Sequence, residues 1–142
     1  MGSTPRFAAL DVALVAMLEL ATQRPVGNHV APGADDEPAP VPYIVLRRLT
    51  PSPVGGDVAA PQSMIAVGYQ LTVVAERADQ AAALADCAQG AMCDRNASGW
   101  VHEVTVAGLN IVNRAFVDGA PDDDGGRWFN DARRYSALIS VV

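Results

Sequence analysis

Two histidines, two cysteines and two acidic runs are the side chains of this 142-residue sequence with types suited to chemistry. His29 lies in a Gly/Pro-rich stretch and His102 in a strand-like one, and no motif joins either to a nucleophile. Cys87 and Cys93 are six residues apart, so on one helix the ~100° step per residue turns them about 120° away from each other. They are not expected to pair, and no CxxC or Cys/His spacing offers a zinc site. They read as two small buried or half-buried thiols in a reducing compartment. Asp122, Asp123 and Asp124 precede Gly125-Gly126 and invite a calcium reading. A calcium loop of the helix-loop-helix type needs acids at alternate positions and a Glu at the twelfth, and the register fails from either Asp118 or Asp122. A solvated acidic turn is expected, and Asp35, Asp36 and Glu37 read the same way. The sequence holds no nucleophile elbow, phosphate loop, dinucleotide fingerprint or HExxH helix. We therefore expect no catalytic, cofactor-binding or metal-binding residue, and no enzyme.

Arginine pairs remain, Arg47-Arg48 and Arg133-Arg134. Neighbours on a strand point to opposite faces, so one Arg of each pair faces the core side or another subunit. There it needs a carboxylate or carbonyls. An edge position that lets both reach water is the alternative. Acidic loops and paired arginines in one chain suit head-to-tail association, in which two different patches meet.

Several elements must position these residues. Thr4-Pro5 opens a helix expected over 5–22, since Thr can cap and Pro suits the first turn. Its main stripe is Phe7, Leu10, Leu14, Met17, Leu18 and Ala21. Its opposite side carries Val12, Ala16 and Leu20, with Asp11 and Glu19 on one flank. A helix apolar on two sides is buried twice, and a subunit contact is the economical second burial. A Pro-rich arm over 25–41 separates it from a strand over 42–49, and a second Pro/Gly loop fills 50–62. Alternating Ile65, Val67, Tyr69, Leu71 and Val73 mark a strand over 63–75, with Gly68 a bulge or close approach. A helix over 78–96 follows, its face formed by Ala81, Leu84, Cys87, Ala88, Ala91 and Met92. Strands over 100–106 and 109–117 are joined at Ala107-Gly108. A loop over 118–130 leads to a last strand over 132–142. The expected architecture is α+β: a mainly antiparallel sheet of four or five strands with two helices on one face and long polar loops.

Ten positive residues, all Arg, face 16 acidic ones, for a net charge of −6, so a free-standing nucleic-acid binder is disfavoured. Half the residues are apolar but only 6% aromatic, so the core must be aliphatic. Phe7–Ala21 follows Arg6 as a leader would, yet Asp11 and Glu19 interrupt it and no small-residue cleavage site follows. No run reaches the ~18 apolar residues of a membrane span. A cytosolic or particle-associated protein is expected.

The segment Gly68-Tyr69-Gln70-Leu71-Thr72-Val73-Val74-Ala75-Glu76-Arg77-Ala78-Asp79-Gln80-Ala81, a strand running into an Ala-rich helix, resembles the tail terminator proteins of long-tailed phages of actinobacteria. Pro42-Tyr43-Ile44-Val45-Leu46 is similar to that family's first strand. Val106-Ala107-Gly108-Leu109 and Arg134-Tyr135-Ser136-Ala137-Leu138 fit its hairpin and last strand. The resemblance implies structural work in the virion tail and neck, after assembly in the host cytoplasm. Such proteins form a ring of about six subunits on the head-proximal end of the tail tube. The ring stops tube polymerisation and offers a docking surface to the head–tail connector, and genomic DNA passes through its lumen without specific binding. The expected partners are thus other copies of the chain, the tail tube protein and the connector protein. Candidate subunit contacts are Val12, Ala16, Leu20, Arg47, Arg48, Arg133 and Arg134, with Asp35, Asp36, Glu37, Asp122, Asp123 and Asp124 as loop contacts to neighbours. Rival readings are another neck component, a head completion or adaptor protein, or a small α+β enzyme or ligand-binding domain using His102 and Glu103.

Overall fold

The computed structural model describes residues 3–33, 40–53, 64–119 and 128–141. Helix α1 (Ser3–Thr22) starts two residues before the expected 5–22. It ends where the Thr22 hydroxyl donates to the Leu18 carbonyl at 2.7 Å and Gln23 takes a left-handed φ of 59°. The Gln23 N–H then closes the last turn on the Glu19 carbonyl, the work that a C-terminal glycine usually does.

The arm expected over 25–41 is not all loop. Strand β1 (Val26–Asn28) runs parallel to β2 (Tyr43–Arg48), pairing Val26 with Ile44 and Asn28 with Leu46. So short a strand has no periodicity to announce it, and its ladder exists only because β2 arrives beside it. At Gly27 an added Cβ would lie 1.9 Å from the Val30 carbonyl oxygen and 2.8 Å from the Pro32 nitrogen. Both are backbone atoms that cannot rotate away. Gly27→Ala is accordingly expected to cost at least about 1–3 kcal/mol, read as a lower urea midpoint at unchanged m-value.

Strand β4 (Met64–Ala75) pairs antiparallel with β2 and, one bulge further along, with the two-residue β3 (Ser52–Pro53). Gly68 sits at that bulge. An added Cβ there would stand 3.3 Å from Leu49, whose N–H donates to the Gly68 carbonyl at 2.8 Å, so the glycine marks a close approach as expected. Helix α2 (Ala78–Cys93) stops three residues short of the expected 96. Asn96 turns the chain instead: its side-chain oxygen accepts the Ser98 N–H at 2.8 Å, and β5 (Arg95–Asn96) pairs with β6 (Gly99–Trp100). The strand expected over 100–106 is reduced to that hairpin. Its β-branched residues have strand propensity but no ladder to join, apart from the single bridge of Val106 to Leu109.

Strands β7 (Leu109–Gly119) and β8 (Phe129–Val141) are longer than the expected 109–117 and 132–142 at their facing ends. The main sheet runs β1-β2-β4-β8-β7, with β3 beside β4, and all but the β1–β2 pair is antiparallel. The chain has the α+β fold expected of it. Both helices pack on the face carrying Ile44, Leu46, Tyr69, Leu71, Val73, Tyr135 and Ile139, which with Leu10, Leu14, Leu18 and Met92 are the core. Ala81, Ala85, Ala88 and Ala91 are the buried small residues that let α2 lie close to β4 and β8. Cys87, placed by sequence on that apolar face, is exposed; Ala85 holds the position instead, because α2 is rotated to put Leu84, Ala85 and Ala88 inward.

Candidate functional site

Of the residues singled out by sequence, Val12 and Leu20 are 61% and 73% exposed, and Ala16 is exposed between them. Four-residue spacing places all three on one stripe of α1, opposite the buried Leu10, Leu14, Met17 and Leu18. Among the described residues, nothing therefore covers the second apolar side of the helix. Asp35, Asp36, Glu37, Asp122, Asp123 and Asp124 lie outside the described residues.

Each arginine pair divides as strand geometry requires. Arg47 is exposed, while Arg48 turns toward the helices and meets Asp11 at 2.8 Å. Arg133 reaches Asp131 at 3.0 Å and, across to α2, Asp86 at 2.8 Å and Gln89 at 2.9 Å. Arg134, on the opposite face, forms a two-pronged pair with Asp118, both bonds 2.7 Å. The carboxylates expected for Arg48 and Arg133 thus come from the same chain. Neither strand is an edge, since β2 lies between β1 and β4 and β8 between β4 and β7.

Asp11 is a correction. Sequence placed it outside the apolar stripes, on one flank, yet it is 2% exposed. Its Oδ1 accepts the Tyr69 hydroxyl and its Oδ2 the Arg48 guanidinium, each at 2.8 Å, and His29 Nε2 lies 3.9 Å from Oδ2. His29 also bonds the Asn28 side chain and accepts the Arg48 backbone N–H at 3.2 Å. One carboxylate thereby ties α1 to β2 and β4. The spacing Phe7–Asp11–Leu14–Leu18 was the available signal, because it sets Asp11 in line with core residues.

A second constellation was not foreseen at all. Arg114 of β7 is 3% exposed, and its Nη2 donates to the His102 carbonyl at 2.6 Å. The guanidinium stacks 4.4 Å from the centre of the Trp100 ring, and Arg95 lies 4.5 Å from the same ring. Among the described residues, Nε and Nη1 have no hydrogen-bond partner. Burial pulls the Arg114 pKa down, opposed by the nearby Cys93 thiol. Burial pushes Cys93 itself up, with Arg114 acting the other way. Trp100, Glu103, Val104, Leu109, Ile111 and Arg114 are among the walls of a cavity of about 220 Å³. His102 is not in a strand; its contribution here is its carbonyl. Both cysteines are free thiols. Among the described residues no group of three or more His, Cys, Asp or Glu side chains is placed to hold a metal ion.

No family model matches the chain, and no curated protein matches it. Among the described residues no helix is long and apolar enough to cross a membrane.

The core polar groups make a pH prediction. Burial, and then the charge of Asp11 beside it, raises the Tyr69 pKa far above its ordinary 10.0. Tyr135 is raised too, first by burial and then by Cys93. A raised acid holds its proton longer in the folded state, so the folded chain binds more protons than the unfolded one above pH 10. The stability is fully present below that value and is lost as pH rises beyond it. Each tyrosine contributes a slope of up to roughly 1.4 kcal/mol per pH unit. Urea midpoints should hold steady to about pH 9, then fall, with Tyr69→Phe making the alkaline slope shallower while Tyr135 and Cys93 keep part of it.

Proposed function

We propose that the chain is a phage tail terminator: a structural ring protein that caps the head-proximal end of the tail tube, stops its polymerisation and presents a docking surface to the head connector. The observation that carries this reading is the exposed stripe of Val12, Ala16 and Leu20 on a helix whose other side already belongs to the core. An apolar stripe with this register calls for a protein surface to cover it. The segments that carry the resemblance lie on β2, across the passage from β4 into α2, at the bridge from Val106 to Leu109 and on β8, although β1 precedes the segment likened to the family's first strand. The acidic net charge suits a conduit whose walls do not hold DNA in transit. In this reading the protein resides in the virion neck, after assembly in the host cytoplasm.

The deciding experiment is native mass measurement of the purified chain, alone and with tail-tube protein, beside a turbidity assay of tube growth. A ring of about six subunits that arrests tube growth at substoichiometric amounts is the expected result. A chain that stays monomeric with tube protein present and leaves growth unchanged would overturn the reading. Binding to the portal complex instead of the tube would reassign it to a head completion or adaptor role.

A further inference from the structure

We infer that the cavity beside Arg114 is a binding site for a carboxylate. The guanidinium is buried and meets no acidic side chain among the described residues; its neighbours are a carbonyl, an indole and a thiol. A buried cation without a counter-charge is costly, and an anion held against it removes that cost. Arginine carries five N–H groups arranged as two-pronged edges that share Nη2. The His102 carbonyl occupies one hydrogen of Nη2, while Nε and Nη1 are both unpaired, so one edge is left whole. That edge fits a planar carboxylate through two parallel bonds.

The surroundings narrow the class. Trp100, Val104, Leu109 and Ile111 line the cavity together with Thr105 and Asn110, a mixed wall suited to a small organic acid with a short or planar body. Glu103 stands on its lining, and its negative charge disfavours a dianion such as phosphate in comparison with a monocarboxylate. Nε and Nη1 have no surface open to solvent, so the entering group must displace one wall. The half-exposed Trp100 lines the cavity and lies against the guanidinium, on a two-residue hairpin that pairs with Arg95–Asn96 and joins no strand of the main sheet, so its ring reports entry of a ligand. The site does not depend on the ring reading: the acid is either a free organic acid or a side-chain carboxylate of a neighbouring copy.

The test titrates benzoate, and benzamide as its neutral counterpart, into the 15N-labelled full chain while following the Trp100 indole N–H resonance. Benzoate should bind with a Kd on the order of 1 mM, and benzamide about tenfold or more weakly. Arg114→Met should fold and lose benzoate binding by about 10- to 100-fold; Arg114→Lys, which keeps the charge but not the two-pronged edge, should lose about tenfold. Equal affinity for benzoate and benzamide, or no Trp100 shift up to about 20 mM benzoate, would overturn the inference, and the wild-type pair decides it even where a variant fails to fold. Native mass measurement at saturating benzoate separates the sources. Dissociation of assemblies assigns the carboxylate to a neighbouring copy, and unchanged assemblies assign it to a free acid; either outcome retains the site.

Discussion

Asp11→Ala is expected to cost about 3–5 kcal/mol of folding stability, the largest effect of any single substitution named for this chain. The substitution leaves the Tyr69 hydroxyl and the inward-turned Arg48 guanidinium facing a gap where each had a 2.8 Å bond to the carboxylate. Tyr69 is fully buried and Arg48 is only 23% exposed, so water replaces neither bond well. The lost bonds would loosen three elements together, because α1, β2 and β4 converge on this carboxylate through Asp11, Arg48 and Tyr69. Asp11→Asn should be milder, since the amide oxygen can still accept from Tyr69. The triple change Asp11→Leu, Tyr69→Phe, Arg48→Met should regain most of the loss, as buried ionic groups are often replaceable by apolar ones when all partners go together. Urea melts of the variants decide the matter. A loss under about 1 kcal/mol for Asp11→Ala would mean that solvent reaches the cluster and that it ties nothing together.

Leu20→Glu and Ala16→Glu should separate folding from assembly. Both positions are exposed in the single chain, so the isolated fold should change by no more than about 0.5 kcal/mol. In an interface the same glutamate forfeits the roughly 1.5–3 kcal/mol of a buried leucine and adds the cost of stranding a charge. Association should therefore weaken by at least about 100-fold, read by native mass or sedimentation at fixed concentration. Undiminished assembly by Leu20→Glu would show that α1 does not face a neighbour and would remove the main support for the ring.

The two substitutions draw on opposite faces of one helix, and the faces differ in how well they could be read. The stripes of α1 follow from residue spacing alone, because every residue that defines them lies within one stretch of 20. What stands across from each stripe does not. Asp11 reads only as a polar residue on one flank, since its bonded partners Arg48 and Tyr69 come 37 and 58 residues later. Arg114 was harder still. A register shift between Ile111 and Asn113 changes the alternation of β7 just before it, so counting by twos from Leu109 cannot say which face it takes.

Local pattern also misjudged elements that exist by pairing alone. The three residues of β1 form a strand because β2 lies beside them, while residues 101–106 have strand-forming side chains and almost no ladder. Periods of 2 and 3.6, turn residues and charge balance are written along the chain. They determined the α+β class, the passage from β4 into the Ala-rich α2 and the second apolar side of α1. Contacts between distant segments decided the rest: which strands pair and in what direction, which carboxylate is buried to hold α1 to the sheet, and which arginine is left with an unfilled edge. Such contacts depend on the summed packing of several elements, a quantity no local window of residues contains.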